Sequence, residues 1–130
     1  MKHIAIGENH LYSKAYNKGA KYVGKGVVIY VLKDLKANLL KKSHPDKVKV
    51  NRIGLTVTKK IGGAVIRSRV KRILREGLRQ TENTHNVKKG FLIVLVARPC
   101  AVDLKSTDIA RDIEKAFYKL NLIDNSINNQ

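Results

Sequence analysis

The clearest alternation of apolar and polar residues lies in the middle of the chain, where Arg52 to Thr58 predicts a half-buried strand. Ile53, Leu55 and Val57 fall on one face, and the residues between them are polar or glycine. A second strand is predicted over Gly90 to Arg98, a continuous apolar run that suits a fully buried strand. We expect the two strands to lie parallel, with the helix between them crossing from one to the other.

The connecting helix is predicted from about Ala64 to Thr81, and its residues sort onto two sides. With a helical period, cations spaced by four form a row along the edge of an apolar side. Arg69 and Arg72 lie farther from the apolar side, around the helix axis. The apolar side holds Ile66, Val70, Ile73, Leu74 and Leu78, and the row holds Arg67, Lys71, Arg75 and Arg79. One side is therefore predicted to be buried and the rest to meet negative charge.

The N-terminal third of the chain predicts a helix and then a strand pair. The helix runs from Asn9 to Lys18, with Asn9 as its cap and Gly19 ending it in the left-handed conformation. Residues 21–32 are rich in β-branched and aromatic side chains, and glycines interrupt them. Both parities of that strand are apolar, so the pattern does not decide which face meets the core.

The remaining segments predict a loop, a helix and a tail. Residues 34–49 are lysine-rich and contain Pro45, which favours a mobile surface loop. A last helix starts at Ser106, and its core side repeats Ile109, Ala110, Ile113, Ala116, Phe117 and Leu120. The asparagine-rich end is predicted to fray, with residues 124–130 as the tail of one domain spanning 1–130 and a core over about 9–123.

Charge narrows the class of partner. Lys and Arg number 27 against 10 Asp and Glu, a formal net charge of +17. Self-repulsion on this scale favours a polyanionic partner, with nucleic acid first and an anionic membrane surface second. No apolar run approaches the length of a membrane-spanning helix, and the apolar core of the first eight residues is too short for a signal peptide. The single cysteine, Cys100, suits a reducing cytoplasm.

A glycine pair precedes the central helix and predicts an anion site. Gly62 and Gly63 allow backbone conformations with φ > 0 and close approach of a partner. Free N–H groups and the positive end of the helix dipole would then point the same way as Lys59 and Lys60. The alternative is that the glycines only turn the chain and the charges are only solvated; their density and one-sidedness favour the anion site.

No protein active site is evident in the sequence. The four histidines, His3, His10, His44 and His85, have no metal-ligand spacing. The acids are few and isolated, whereas a metal-dependent nuclease needs clustered carboxylates to hold its ions. The residues therefore predict an RNA-binding module with no catalytic residue and no metal site of its own.

The segment Lys59-Lys60-Ile61-Gly62-x-Ala64-Val65-x-Arg67-x-Arg69-x-Lys71-Arg72-x-x-Arg75 resembles the signature of the bacterial ribonuclease P protein family. The family usually has Asn where this chain has Gly63 and Ser68. A serine has a shorter reach than an asparagine and lacks its amide. We therefore expect rearranged contacts at Ser68 rather than a lost function.

The resemblance implies an α+β fold: a single-domain α/β sandwich in the order αβββαβα, with a four-stranded mixed sheet. It also implies a left-handed crossover through the central helix, against the strong right-handed rule. In the family three aromatic residues receive the 5′ leader of precursor tRNA, and Tyr12, Tyr16 and Tyr30 match them in spacing. Two half-buried core tyrosines, Tyr12 and Tyr16, are the alternative from spacing alone. The implied contacts to catalytic RNA are Lys59, Lys60, Arg67, Ser68, Arg69, Lys71, Arg72 and Arg75.

The function implied by the resemblance is that of a subunit of ribonuclease P, a ribonucleoprotein endonuclease of tRNA processing. The catalytic RNA partner would hydrolyse the precursor tRNA with Mg²⁺ held mainly by that RNA, and the protein alone would be inactive. The expected partners include no DNA and no membrane, and the expected location is the cytoplasm. The alternatives are a ribosomal-type or RNA-chaperone protein, motivated by the same basic helix, and a stand-alone nuclease.

Overall fold

In a computed structural model, which describes residues 3–123, helices cover both faces of a five-stranded sheet. The strands are β1 (His3–Ala5), β2 (Ala20–Val23), β3 (Val27–Lys33), β4 (Asn51–Thr56) and β5 (Phe91–Ala97). The helices are α1 (Asn9–Lys18), α2 (Ala37–Ser43), α3 (Ala64–Thr84) and α4 (Ser106–Lys119), and a 3-10 turn spans Pro99–Asp103. The predicted tail, 124–130, lies outside the described residues.

The sheet has the order β1-β4-β5-β3-β2. β4 lies parallel to β5, with Ile53 opposite Ile93, and this confirms the predicted pair of parallel strands joined by a helix. β3 is antiparallel to both of its neighbours. The α+β class is confirmed, but the strand number is five rather than four because β1 pairs parallel to β4 over three residues.

The hand of the β4–α3–β5 connection follows from backbone hydrogen bonds and side-chain directions. At the two ends of β3, the Asp34 N–H donates to the Gly90 carbonyl, and the Gly26 carbonyl accepts from the Arg98 N–H. Even-numbered residues of β3 therefore bond towards β5, while an even-numbered side chain, Tyr30, packs on the α1 side. Consider a strand of L-residues that runs upward and is viewed from the face to which one side chain points. The N–H and C=O groups of that same residue then point to the viewer's right. With α3 on the opposite face, these directions make the connection left-handed, as expected.

The two faces of the sheet bury different amounts of apolar surface. On one face, α3 and α4 form the main core with the odd-numbered residues of β3 and β5, and Phe117 is its largest fully buried side chain. On the other face, α1 covers the sheet through Leu11 and Ala15, beside Ile6. Tyr12, Tyr16 and Tyr30 lie on this thinner side, where Tyr12 and Tyr30 are half-buried and Tyr16 is exposed.

Four local predictions were wrong. Residues 37–43, expected as loop, form the short helix α2, and Asn9 is the first residue of α1 rather than its cap. Gly19 is extended at φ −76°; its Cβ position would lie 2.5 Å from the Ala15 carbonyl oxygen, so glycine is needed there for space rather than for a left-handed turn. Ile66, assigned to the buried side of α3, is 40% exposed because it lies one turn before Val70, the first buried residue of that helix.

A buried ion pair fixes the N-terminal end of α1 to the sheet. The Arg52 Nε atom donates to Asp34 Oδ2 at 2.7 Å, and Nη2 donates to Oδ1 at 2.9 Å. A third contact joins Arg52 to Glu8, immediately before α1, at 3.3 Å. Burial alone would raise the pKa of Asp34, but the hydrogen bonds and charge of Arg52 hold that pKa below its ordinary value.

Candidate nucleic-acid interface

The glycine turn that starts α3 has the predicted strain at one position. Gly62 has φ +155°, and a Cβ there would meet the Ile66 side chain at 3.0–3.1 Å, so a larger residue would be strained and crowded. Gly63 caps the helix in an ordinary extended conformation and offers no side chain to its first N–H groups. The start of α3 therefore presents uncapped backbone donors, as an anion site requires.

The predicted RNA contacts, which we call the basic segment, are Lys59, Lys60, Arg67, Ser68, Arg69, Lys71, Arg72 and Arg75. No acid occurs between residues 59 and 75. Arg67 and Lys71 are half-buried and the other members are exposed. Within residues 3–123, none of the seven cations forms an ion pair, whereas the next arginine, Arg79, pairs with Glu76.

Two arginines of the basic segment differ in how they meet the fold. Arg69 Nη1 donates to the Val102 carbonyl at 2.8 Å, which ties α3 to the 3-10 turn and leaves its other donors in solvent. The Arg67 Nε atom is out of solvent and has no hydrogen-bond partner among the described residues. Because a buried donor is costly when unsatisfied, Arg67 is suited to an acceptor brought by a ligand.

The three predicted tyrosines lie together on the α1 face of the sheet. The rings of Tyr16 and Tyr30 meet edge to face with centroids 5.0 Å apart. The Tyr16 hydroxyl lies 2.8 Å from the Thr56 hydroxyl, which fixes the exposed end of that ring. We call Tyr12, Tyr16 and Tyr30 the tyrosine surface.

Tyr12 lies directly over the backbone of Gly54 on β4. A Cβ on Gly54 would be 2.5–2.6 Å from the ring and hydroxyl atoms of Tyr12, so the ring fits only because Gly54 has no side chain. Burial and the neighbouring Tyr16 raise the pKa of the Tyr12 hydroxyl above its ordinary value. The position of Tyr12 is therefore set by a residue that sequence reasoning had assigned only to a polar strand face.

Sequence reasoning missed two further residues at this surface. The Lys21 ammonium lies 6.0 Å from the centroid of the Tyr30 ring, a distance at which cation–π attraction operates. Lys21 and Tyr30 are direct cross-strand partners in the β2–β3 hairpin. The register of that hairpin was the signal that could have found Lys21; Thr56 needed the tertiary structure.

Two other kinds of feature were sought among the described residues. Within residues 3–123, no group of three or more His, Cys, Asp or Glu side chains is placed to hold a metal ion. None of the helices in that range has the length and apolar character needed to span a bilayer.

Comparisons with known proteins give one consistent result. The family model described as "Ribonuclease P" matches residues 1–121. The ribonuclease P protein components of Clostridium acetobutylicum and Alkaliphilus oremlandii are each 36% identical to this chain, over 95% and 94% of it and 93% and 95% of their own lengths. Among solved structures, the RNase P protein of Staphylococcus aureus matches with a TM-score of 0.70 at 24% identity, over 95% of this chain and all of that one. The RNase P protein of Thermotoga maritima gives 0.65 at 18%, over 92% and 97%.

Proposed function

This chain belongs to the ribonuclease P protein family, and we propose that its basic segment binds the catalytic RNA of that enzyme while its tyrosine surface binds the 5′ leader of precursor tRNA. It is a subunit of an endoribonuclease that matures the 5′ ends of tRNAs. Its partner in the ribonucleoprotein is RNA, and its place is the cytoplasm.

The observation that carries the RNA contact is the absence of ion pairs around the basic segment within residues 3–123. Three acids in that range are engaged elsewhere: Asp34 and Glu8 by Arg52, and Glu82 by His3. Unpaired cations on a helix repel one another, so their clustering favours a ligand that supplies negative charge. Phosphates bound to Lys59, Lys60 and the start of α3 would satisfy both the side chains and the uncapped N–H groups.

The observation that supports leader binding is the open arrangement of the tyrosine surface. The exposed ring of Tyr16 and the edge-to-face partner Tyr30 offer π faces to a single strand, which stacks without regard to base identity. Lys21 beside Tyr30 adds a charge for the phosphate that joins two such bases. The surface is therefore suited to an unpaired leader rather than to a duplex.

The protein supplies binding and position in this proposal, and the RNA supplies the reaction. Residues 3–123 include no group of three or more His, Cys, Asp or Glu side chains placed to hold a metal ion, and we assign Mg²⁺ mainly to the RNA partner. Mg²⁺ at such a site would stabilise the charge that develops during phosphodiester hydrolysis. Ser68, shorter than the family's usual asparagine, would contact the RNA over a shorter reach.

One cleavage assay tests the proposal. Precursor tRNA is incubated at physiological Mg²⁺ with the protein alone, with the catalytic RNA from the same source alone, and with both. We expect no cleavage by the protein, slow cleavage by the RNA and a large gain when the two are combined. Cleavage by the protein alone would instead indicate a stand-alone nuclease, and no gain on combination would indicate an RNA chaperone.

A further inference from the structure

A cavity of about 790 Å³ lies between α3 and the β1–β4 edge of the sheet, on the opposite face from most of the tyrosine surface. The apolar part of its wall is formed by Ala5, Ile53, Leu55 and Leu78. β1 pairs with β4 only as far as Ile53, so the cavity opens where Leu55 has no strand beside it. We call it the edge pocket.

Charged side chains line the edge pocket unevenly. Lys71 and Arg75, neighbours on one side of α3, line it and form no ion pair within residues 3–123. Of the other charged groups in the lining, Arg79 is engaged by Glu76, and both carboxylate oxygens of Glu82 lie 2.9–3.0 Å from His3 Nδ1. The two free cations therefore give this apolar cavity a positive rim.

Tyr12 joins the edge pocket to the tyrosine surface. Its side chain lines the pocket, and its hydroxyl lies beside the Leu55 backbone. An aromatic ring and an arginine in the lining, together with apolar side chains, are features that hold an unstacked base in RNA-binding proteins. The volume falls within the range of small-molecule sites, roughly 300–1,000 Å³, and is sufficient for a nucleotide.

We propose that the edge pocket takes one unpaired nucleobase of the RNA partner, with Lys71 and Arg75 bound to its phosphates. The inference rests on the proposed function only for the source of the nucleotide, the catalytic RNA. A duplex would satisfy the two cations but could not place a stacked, paired base between α3 and β4. The pocket therefore distinguishes an extruded or single-stranded nucleotide from a helix.

The test uses the full chain with methyl-labelled leucine and isoleucine, titrated with a short single-stranded RNA and with a duplex of the same length. We expect the single strand to shift the NMR signals of the Leu55 and Leu78 methyl groups, and the duplex to leave them in place. Equal shifts with both probes would show that charge alone moves these signals, and no shift with either would show that the pocket stays empty. Either result overturns the proposal.

Variants that fill the pocket provide the second part of the test. Ala5→Phe adds a ring from β1, and Asn83→Phe adds one from the exposed end of α3. Each should weaken single-strand binding at least about fivefold, since one base contact is lost, without changing duplex binding or the melting temperature. The matched control is Ile4→Phe, which adds the same ring on the other face of β1, opposite Arg52.

The variants also separate this inference from the proposed function. If neither filling variant weakens single-strand binding, or if Ile4→Phe weakens it equally, the pocket is not a base site. That result would leave the gain in the cleavage assay untouched. If instead the combination of protein and RNA gave no gain in cleavage, while single-stranded RNA still shifted the methyl signals, the ribonuclease P role would be refuted. The base site would then remain supported.

Discussion

Arg52 and the arginines at the start of α3 show two opposite ways of placing the same side chain. Arg52 is 5% exposed and makes three contacts to carboxylates, two to Asp34 and one to Glu8. Arg72 is exposed and has no ion-pair partner within residues 3–123. Of the acids within residues 3–123, two are committed to one buried arginine and none is paired with residues 59–75. The difference indicates that Arg52 serves the fold and that the basic segment serves a ligand.

The largest expected effect is the loss of stability when Arg52 is removed. Arg52→Ala should lower the free energy of unfolding by about 3–5 kcal/mol, because it leaves Asp34 buried without its main partner. Arg72→Ala, measured by the same urea denaturation, should change it by less than about 0.5 kcal/mol. Replacing both partners, as in Arg52→Met with Asp34→Leu, should recover part of the loss. Equal losses for Arg52→Ala and Arg72→Ala would contradict the division into fold and ligand arginines.

The next largest effect is on RNA affinity, where the substitution of Arg72 should matter more than that of Arg52. Arg72→Ala should weaken binding of the catalytic RNA by about 1–3 kcal/mol and lower the slope of log affinity against log salt by about one, as expected when one phosphate contact is lost. The measurement is a filter-binding titration at several salt concentrations. Lys115→Ala, which removes an exposed cation from α4, is the control. An unchanged salt slope in Arg72→Ala would show that this residue does not contact phosphate.

The same contrast explains how far the sequence could predict the molecule. Periodicity was sufficient for α3, β4 and β5, because long amphipathic or apolar runs carry their own signal. It could not predict β1, three residues long and stabilised only by the edge of β4, nor the pairing of Arg52 with Asp34, which depends on how two strands and a loop come together. The basic segment could be predicted because its residues are close together in the sequence. Lys21 and Gly54, in contrast, are brought to the tyrosine surface only by strand register and packing.

A substitution at Gly54 should disturb the tyrosine surface although it changes neither a charged residue nor a tyrosine. Gly54→Ala would place a methyl group where the Tyr12 ring lies, and the ring, at the free end of its side chain, would have to move. We expect affinity for leader-bearing tRNA to fall towards that of Tyr12→Ala, by up to about 1–3 kcal/mol, with little change for mature tRNA. The control is Gly7→Ala, since a Cβ there meets nothing within 4 Å. An equal loss for both tRNAs would indicate a change of fold instead.

The smallest effect is expected at Arg79, which lies next in the row after Arg75 but is paired with an acid, as Arg52 is. This arginine continues the row of the basic segment, but Glu76, one turn earlier, accepts from its Nε at 2.9 Å. The hydrogen bond from Arg79 and its positive charge lower the pKa of Glu76, so the pair stays ionised at neutral pH.

Glu76→Gln should leave the melting temperature unchanged, because an exposed pair of this kind contributes little to stability. It should strengthen binding of the catalytic RNA slightly and steepen its salt dependence, since Arg79 would then join the unpaired cations. A weaker complex would show instead that the acid-free segment ends at Arg75 for a structural reason, and that Glu76 itself is needed at the interface.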